Sequence, residues 1–193
     1  MGVKILNLLP VTADVLTSER FDYMCRYLEP DTLVETYQIT QGPPTIECEY
    51  DEALAAPYVL ELCQKAKAEG FQAIFINCFG DPGVKAAREL VDLPVFGGFE
   101  PATHFALGLA DKIGIVTVVP NVVPLIEGNI AKARLEGRVT GVRNVNIPVE
   151  ELKDHEKMCQ ALERECLASV REDGSQAIVM GCTGFVEVAE RIK

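Results

Sequence analysis

Two cysteines occupy matching positions in the chain and could act together as an acid/base pair. Cys78 and Cys182 each follow a short apolar run, and each is followed two residues later by a glycine, Gly80 or Gly184. A thiolate can remove a proton from carbon and a thiol can return one, so cysteines on opposite faces of a substrate could invert a stereocentre. That chemistry is racemisation or epimerisation, and it needs neither a metal nor pyridoxal phosphate. The alternative is that both cysteines are buried strand ends, but a glycine beside each one lets a ligand approach the backbone closely.

An internal repeat surrounds these cysteines. Residues 69–80 and 173–184 both read acidic residue, Gly, any residue, Gln, Ala, Ile, three residues, Cys, any residue, Gly, at a constant offset of 104. We predict that residues 69–92 and 173–193 superpose as equivalent strand-turn-helix units related by a pseudo-two-fold axis.

A weaker match concerns the strand that would open each half. Residues 5–10 align with residues 115–120 at an offset of 110, which places Asn7 opposite Thr117. Each half would then present one polar residue from its opening strand and one cysteine after a later strand.

The elements that would position these residues alternate along the chain. Apolar runs rich in β-branched residues alternate with helix-periodic stretches, a pattern typical of βαβ units. We predict an α/β fold of two pseudo-symmetric lobes, residues 1–98 and 99–193, each a mostly parallel sheet flanked by helices, with the active site between the lobes. The predicted strands are residues 3–9, 33–39, 73–78, 94–97, 113–119, 142–147 and 177–182. By the offset of 104, a closing strand and helix of the second lobe would be missing or lie beyond residue 193.

Each cysteine is expected beside the start of a helix. Asp81 is the predicted N-cap and Pro82 the predicted first residue of a helix after Cys78, and residues 185–191 are a predicted helix after Cys182. A helix N-terminus favours a thiolate over a thiol. Two sulfurs flanking one carbon would lie about 6 to 8 Å apart in the closed site. They should therefore remain free thiols, because a disulfide bond is about 2.05 Å long.

The other cysteines are predicted to be structural. Four fall on helix-periodic apolar stripes and are interpreted as small buried hydrophobes: Cys25, Cys63, Cys159 and Cys166. Cys48 lies in a polar loop, and the sequence shows no neighbouring residue that would activate its thiol.

The histidines, Glu100 and possible metal ligands are weaker candidates for a catalytic role than the two cysteines. We expect His155, in a charged stretch, to face solvent, and His104 to be structural rather than a catalytic base. Glu100 could reach the pocket or cap the next helix. The spacing matches no zinc site, so we predict no metal and no cofactor.

Composition narrows the class of partner. The chain has 193 residues, with 18 Lys plus Arg against 29 Asp plus Glu and a formal charge of −11. Nucleic acid and anionic membranes are therefore poor partners. Because the chain shows no signal peptide, no apolar span and no disulfide framework, we predict a cytoplasmic protein that acts on a small molecule, with a homo-oligomer left open.

The segments around both cysteines also carry a family resemblance. Residues 77–90, followed by 93–97, closely resemble the first cysteine segment of hydantoin racemases, within the aspartate/glutamate racemase superfamily. Residues 180–185 resemble the second cysteine segment, and residues 42–47 with 50–53 resemble the linker. The resemblance spans nearly the whole chain. It implies cofactor-independent racemisation of 5-substituted hydantoins, or of the related ureide allantoin, with Cys78 and Cys182 as the two acid/base residues.

The same resemblance implies how the substrate is held. The backbone amides of four residues would bind the carbonyl oxygens of the ring: Phe79, Gly80, Thr183 and Gly184. Asn7 and Thr117 would line the pocket. The family often opens with Asn-Pro-Asn-Thr, whereas residues 7–12 read Asn-Leu-Leu-Pro-Val-Thr. Amino-acid racemases of the superfamily typically follow the first cysteine with Asn-Thr. Here Phe-Gly offers no polar side chain, which favours a neutral cyclic amide.

Other functions remain open at this stage. An amino-acid racemase, a maleate-type isomerase or a decarboxylase would use the same scaffold, although two cysteines favour racemisation over single-cysteine decarboxylation. A small-ligand binding module would carry out no chemistry. Uptake of solvent deuterium at the stereocentre of the substrate separates these classes.

Overall fold

The structure is a computed structural model that describes residues 2–14 and 18–192. The chain divides into two compact units, Met1–Gly98 and Phe99–Lys193. Each unit holds a parallel sheet flanked by helices, so the predicted α/β class with mostly parallel sheets is confirmed.

The first unit contains a four-stranded parallel sheet in the order β2-β1-β3-β4. Its strands are β1 Lys4–Leu9, β2 Leu33–Gln38, β3 Ala73–Ile76 and β4 Val95–Phe96. Its helices are α1 Ser18–Cys25, α2 Glu49–Ala68 and α3 Val84–Leu90. The core of this unit contains buried residues of α2, among them Val59 and Cys63, together with Leu6, Leu8 and Ile74 of the sheet.

The second unit contains a three-stranded parallel sheet in the order β6-β5-β7. Its strands are β5 Ile113–Thr117, β6 Val139–Asn144 and β7 Ala177–Met180. Its α-helices are α4 Phe99–Leu107, α5 Val123–Lys132, α6 His155–Glu172 and α7 Ala189–Ile192, and three 3-10 turns span Pro120–Val122, Val149–Glu151 and Thr183–Phe185. Every residue of β5 is buried, as the central strand of a covered sheet requires.

The register of the two sheets corrects the alignment of their central strands. Asn7 pairs with Phe75, whereas Ile115 pairs with Val179, the residue 104 positions after Phe75. The equivalent of Asn7 is therefore Ile115, at an offset of 108, and the prediction that Asn7 lies opposite Thr117 is wrong by two residues. Because side chains alternate along a strand, the shift of two keeps Thr117 on the same face as Ile115.

The predicted strand 142–147 begins three residues too late. The strand runs Val139–Asn144, and all six of its residues are only half-buried. Val145 and Ile147, which created the apolar signal, are buried beyond the end of the strand, where their N–H groups donate to the carbonyls of Thr117 and Val118. The apolar pattern that predicted a strand here therefore comes from buried residues of the segment that follows β6.

The helical stripes that carry cysteines are confirmed in part. Cys63 is fully buried and Cys159 is 7% exposed. Helix α1 ends at Cys25, so Leu28 falls outside it and is 39% exposed. On α6 the predicted stripe runs through Cys159, Leu162, Cys166 and Val170. Its first two residues are buried, whereas Cys166 is half-buried and Val170 is 48% exposed, so the stripe leaves the core toward the end of the helix.

No helix in the described part of the chain is long and apolar enough to cross a membrane.

Candidate active site

Cys78 lies in a turn directly after β3. The N–H of Asn77 still donates to the carbonyl of Leu8 on β1, and the carbonyl of Cys78 accepts from Gly98 at 3.2 Å. The Cys78 side chain is half-buried, and its Sγ accepts the backbone N–H of Gly80 at 3.4 Å. The turn is therefore fixed to β1 through Asn77 and to the segment after β4 through Gly98, and a backbone N–H holds the sulfur.

The helix after Cys78 begins later than predicted. Helix α3 starts at Val84, so Pro82 is not its first residue and Asp81 is not its N-cap. Asp81 and Gly83 both have left-handed backbone, with φ of 58° and 71°, and the carbonyl of Asp81 accepts the N–H of Val84. A Cβ on Gly97 would lie 2.0 Å from Oδ1 of Asp81, so this carboxylate occupies space that only glycine leaves open.

Cys182 lies in the corresponding turn after β7. Its side chain is half-buried, and its Sγ accepts the backbone N–H of Gly184 at 3.3 Å. The predicted helix 185–191 is replaced by the 3-10 turn Thr183–Phe185 and the short helix Ala189–Ile192. Gly184 leaves room for its neighbours here, since a Cβ at this position would lie 2.6 Å from Cδ1 of the buried Leu152 and 3.4 Å from the cysteine sulfur.

The two turns share one electrostatic feature. Each sulfur accepts an N–H from the glycine two residues further on, and all seven cysteines are free. A hydrogen bond donated to sulfur favours the charged thiolate over the neutral thiol. Two half-buried sulfurs with the same backbone support can each act as a base when charged and as an acid when protonated.

Buried polar side chains contact the residue that precedes each cysteine. Asn7 is 1% exposed, and its Oδ1 accepts from Nδ2 of Asn77 at 3.1 Å. Thr117 is fully buried, and its hydroxyl donates to the carbonyl of Gly181 at 3.0 Å. The two predicted pocket residues therefore lie beside the approach to Cys78 and to Cys182, respectively.

The four predicted amide donors lie in the same two turns. Phe79 is 5% exposed, Gly80 and Gly184 are buried, and Thr183 is exposed. In this structure the N–H groups of Gly80 and Gly184 point to the cysteine sulfurs.

Comparison with known proteins decides the family. The family model described as Asp/Glu/Hydantoin racemase matches residues 15–193. The chain belongs to the Asp/Glu/hydantoin racemase family. Its relatives include the hydantoin racemase of Pseudomonas sp. (strain NS671), which is 33% identical over 194 aligned residues that cover 100% of this chain and 77% of that protein.

Solved structures agree with this assignment. An allantoin racemase from Klebsiella pneumoniae has a TM-score of 0.92 and 32% identity, covering 99% of this chain and 78% of that chain. The allantoin racemase of Pseudomonas fluorescens also has a TM-score of 0.92, at 27% identity, covering 98% of this chain and 81% of that chain. The protein is therefore an isomerase, and specifically a racemase.

The remaining cysteines of this racemase have other environments. Burial raises the pKa of Cys63 to about 12, and burial with the neighbouring Glu165 raises that of Cys166 to about 11. Burial and Asp22 also raise the pKa of Cys25. Cys48 donates its S–H to Asp51 at 3.2 Å, a partner that sequence reasoning missed. The raised pKa values favour the thiol form of Cys25, Cys63 and Cys166, which matches a structural role.

The two histidines of the racemase lie on the surface. His155 is 44% exposed and its Nε2 lies 3.0 Å from a carboxylate oxygen of Glu187. His104 is exposed, and its Nδ1 bonds to the carbonyl of Glu100 one helical turn earlier at 2.7 Å. The expectation that His155 faces solvent is confirmed, and His104 has the local backbone partner expected of a structural histidine. Within residues 2–14 and 18–192, no group of three His, Cys, Asp or Glu side chains could hold a metal ion.

Proposed function

We propose that this racemase inverts C5 of a 5-substituted hydantoin, allantoin included, with Cys78 and Cys182 as its two acid/base residues. The observation that carries the proposal is the matching pair of turns, in which a half-buried sulfur accepts the N–H of the glycine two residues further on. The choice of substrate is supported by relatives named hydantoin racemase and by the similar structures of two allantoin racemases.

The chemistry needs only these two side chains. The C5 proton of a hydantoin is acidic because the C4 carbonyl accepts the electron pair left behind, forming a planar enolate. One cysteine, as the thiolate, takes this proton, and the other, as the thiol, delivers its own proton to the opposite face of C5. The first cysteine ends as the thiol and the second as the thiolate, so the same pair serves the reverse direction.

The two turns also supply the proposed binding groups. Backbone amides at four positions would hold the ring carbonyls as charge develops on oxygen: Phe79, Gly80, Thr183 and Gly184. The N–H groups of Gly80 and Gly184 would then be shared between the cysteine sulfur and a ring oxygen. Asn7 and Thr117 are the two other proposed substrate-binding residues. Each contacts the residue that precedes one of the cysteines. Phe79 brings no polar side chain to its turn, which suits a neutral ring better than a zwitterionic amino acid.

The test follows proton exchange and inversion together. The purified chain is incubated in D₂O with each enantiomer of 5-benzylhydantoin and of allantoin, and with D- and L-glutamate and aspartate. Polarimetry follows inversion and NMR follows deuterium at the stereocentre, with the spontaneous rate subtracted. We expect inversion with deuterium at C5 for a hydantoin and none for the amino acids. Inversion of amino acids alone would contradict the substrate class, and the absence of exchange on every one of these substrates would contradict the proposed function.

The same assay tests the catalytic pair. Cys78→Ala and Cys182→Ala should each lower the rate of inversion by about 10²-fold or more, the usual contribution of a general acid or base. Cys48→Ser keeps a donor for Asp51 and should invert the substrate at the wild-type rate. A variant at either assigned position that still converts both enantiomers at a near-native rate would rule out the pair.

A further inference from the structure

A chain of polar side chains crosses three neighbouring strands of the first sheet and ends beside Cys78. Nδ2 of Asn7 on β1 donates to the hydroxyl oxygen of Thr36 on β2 at 3.1 Å. Nδ2 of Asn77, which follows β3, donates to Oδ1 of Asn7 at 3.1 Å. Asn7 and Thr36 are direct partners in the register of the sheet, so their side chains share a face.

Thr36 anchors the side-chain amide of Asn7 from the neighbouring strand. An asparagine amide presents an acceptor on one side and two donors on the other, and its two orientations have nearly the same shape. The oxygen of Thr36 accepts from the NH₂ group of Asn7, which leaves the Asn7 carbonyl facing the NH₂ group of Asn77. Removal of the Thr36 hydroxyl would take away the β2 partner of the Asn7 amide, the group that contacts the residue preceding Cys78.

The second sheet shows that this chain is not needed to build the fold. The register partner of Ile115, the equivalent of Asn7, is Val142. The residue before Cys182 is Gly181, and its carbonyl is held by the hydroxyl of Thr117 instead. An apolar pair therefore suffices at the same place in an equivalent sheet, so the polar pair in the first unit has a local purpose.

We propose that Thr36 is a positioning residue for Cys78, acting through Asn7 and Asn77 on proton transfer at that sulfur. The inference rests on the proposed role of Cys78 as one of the two acid/base residues. Thr36 would act without contacting the substrate. Its effect should be confined to the proton transfers in which Cys78 takes part.

The test is Thr36→Val, which installs the residue of the second sheet and removes only the hydroxyl. The two enantiomers have equal free energy, so kcat/KM must be the same in both directions and cannot reveal which transfer is impaired. The isotope effect of a C5 deuterium can, because it grows when removal of that deuterium becomes rate-limiting. Each enantiomer of C5-deuterated 5-benzylhydantoin is therefore compared with its protiated form, using whichever hydantoin the wild type inverts if this one is not accepted.

We expect kcat/KM to fall about tenfold, as a small misplacement of a reacting group does. The substrate isotope effect should rise for the enantiomer that Cys78 deprotonates and fall for the other. The enantiomer that still exchanges its C5 proton in Cys78→Ala is the one deprotonated by Cys182, which identifies the two directions. Thr36→Ser, which restores the oxygen, should recover the wild-type isotope effects.

The control is Thr140→Val on β6. Thr140 is half-buried like Thr36, and its hydroxyl bonds the carbonyl of Ile113 at 3.2 Å and contacts Ser175, both of which lie outside the cysteine turns. This variant should lose stability without changing either isotope effect. If Thr36→Val unfolds, Thr36→Ala, which also removes the hydroxyl and leaves Asn7 in place, should fold while showing the same opposite changes in the two isotope effects.

The outcomes separate the two proposals. A wild type that exchanges no hydantoin defeats the proposed function. A wild type that exchanges normally, with Thr36→Val changing both isotope effects equally or neither, or with no rescue by Thr36→Ser, overturns the positioning role and leaves the proposed function standing.

Discussion

At the scale of single residues, the environment of each sulfur separates the cysteines into two groups. Cys78 and Cys182 are half-buried acceptors of a backbone N–H. Cys63 and Cys166 carry pKa values raised to about 12 and about 11, chiefly because burial penalises the charged form. Since the thiolate is the reactive species, these two groups should differ in chemistry as well as in position.

Alkylation provides a prediction at this scale. Iodoacetamide at pH 8, followed by mass spectrometry, should label Cys78 and Cys182 first and abolish racemisation in proportion, with a bound hydantoin slowing both. Cys63 and Cys166 should react only after unfolding in denaturant. EDTA should leave the activity intact. Equal labelling of Cys63 in the folded protein, or inhibition by EDTA that zinc reverses, would contradict this assignment.

At the scale of elements, the first residues of each internal repeat form hydrogen bonds that join neighbouring parts of the sheet. The acidic residue of each repeat binds a side chain of the edge strand: Glu69 accepts from the hydroxyl of Tyr37, and Asp173 accepts from Arg143. The glutamine of each repeat accepts backbone N–H groups at the start of the central strand with its side-chain oxygen. Gln72 accepts from Lys4, the first residue of β1, and Gln176 accepts from Asp111 and Lys112, just before β5. Only the Cys-x-Gly end of the repeat forms the sulfur-containing turn.

The Arg143–Asp173 contact supports a prediction about stability. Nε and Nη2 of Arg143 donate to the two oxygens of Asp173 at 2.6 and 2.9 Å, and these bonds hold the pKa of that carboxyl below its usual range. Asp173→Asn should lower the free energy of unfolding at pH 7 by about 1 kcal/mol, as expected for a partly exposed bidentate pair.

The stabilisation by this ion pair should depend on pH. A carboxyl whose pKa is lowered by folding stabilises the protein above its unfolded pKa of about 3.9, and the contribution is lost as the pH falls through the folded pKa. The difference between the wild type and Asp173→Asn, measured by urea unfolding, should therefore narrow below about pH 4. Asp111→Asn, at a side chain that is 93% exposed, should change stability little. A gap that stayed constant down to pH 3 would contradict the role of the ion pair.

At the scale of the whole molecule, two units with the same central strand order each contribute one proposed acid/base group. A catalytic cycle that needs one thiolate and one thiol requires both groups in defined and opposite protonation states. Neither the fully protonated nor the fully ionised pair can complete the inversion.

The pH profile tests this dependence. Between about pH 5 and 10, kcat/KM for a hydantoin should follow a bell-shaped curve whose two apparent pKa values belong to the coupled pair. The spontaneous racemisation of hydantoins, which rises with pH, is subtracted at each point. A profile that rises to a plateau without an alkaline limb would show that no second group must remain protonated.

The sequence by itself determined the α/β class, the duplicated cysteine turns and most strands, because these depend on periodicity and residue order within short segments. The tertiary structure decided the offset of 108 between the central strands, the start of α3 at Val84 and the true extent of β6. It also decided that Thr36, Asn7 and Asn77 form one chain, although they lie 29 and 70 residues apart along the sequence. These features depend on which backbone and side-chain groups meet after the strands pair, and a hydrogen bond between distant segments leaves no periodic signal in the sequence.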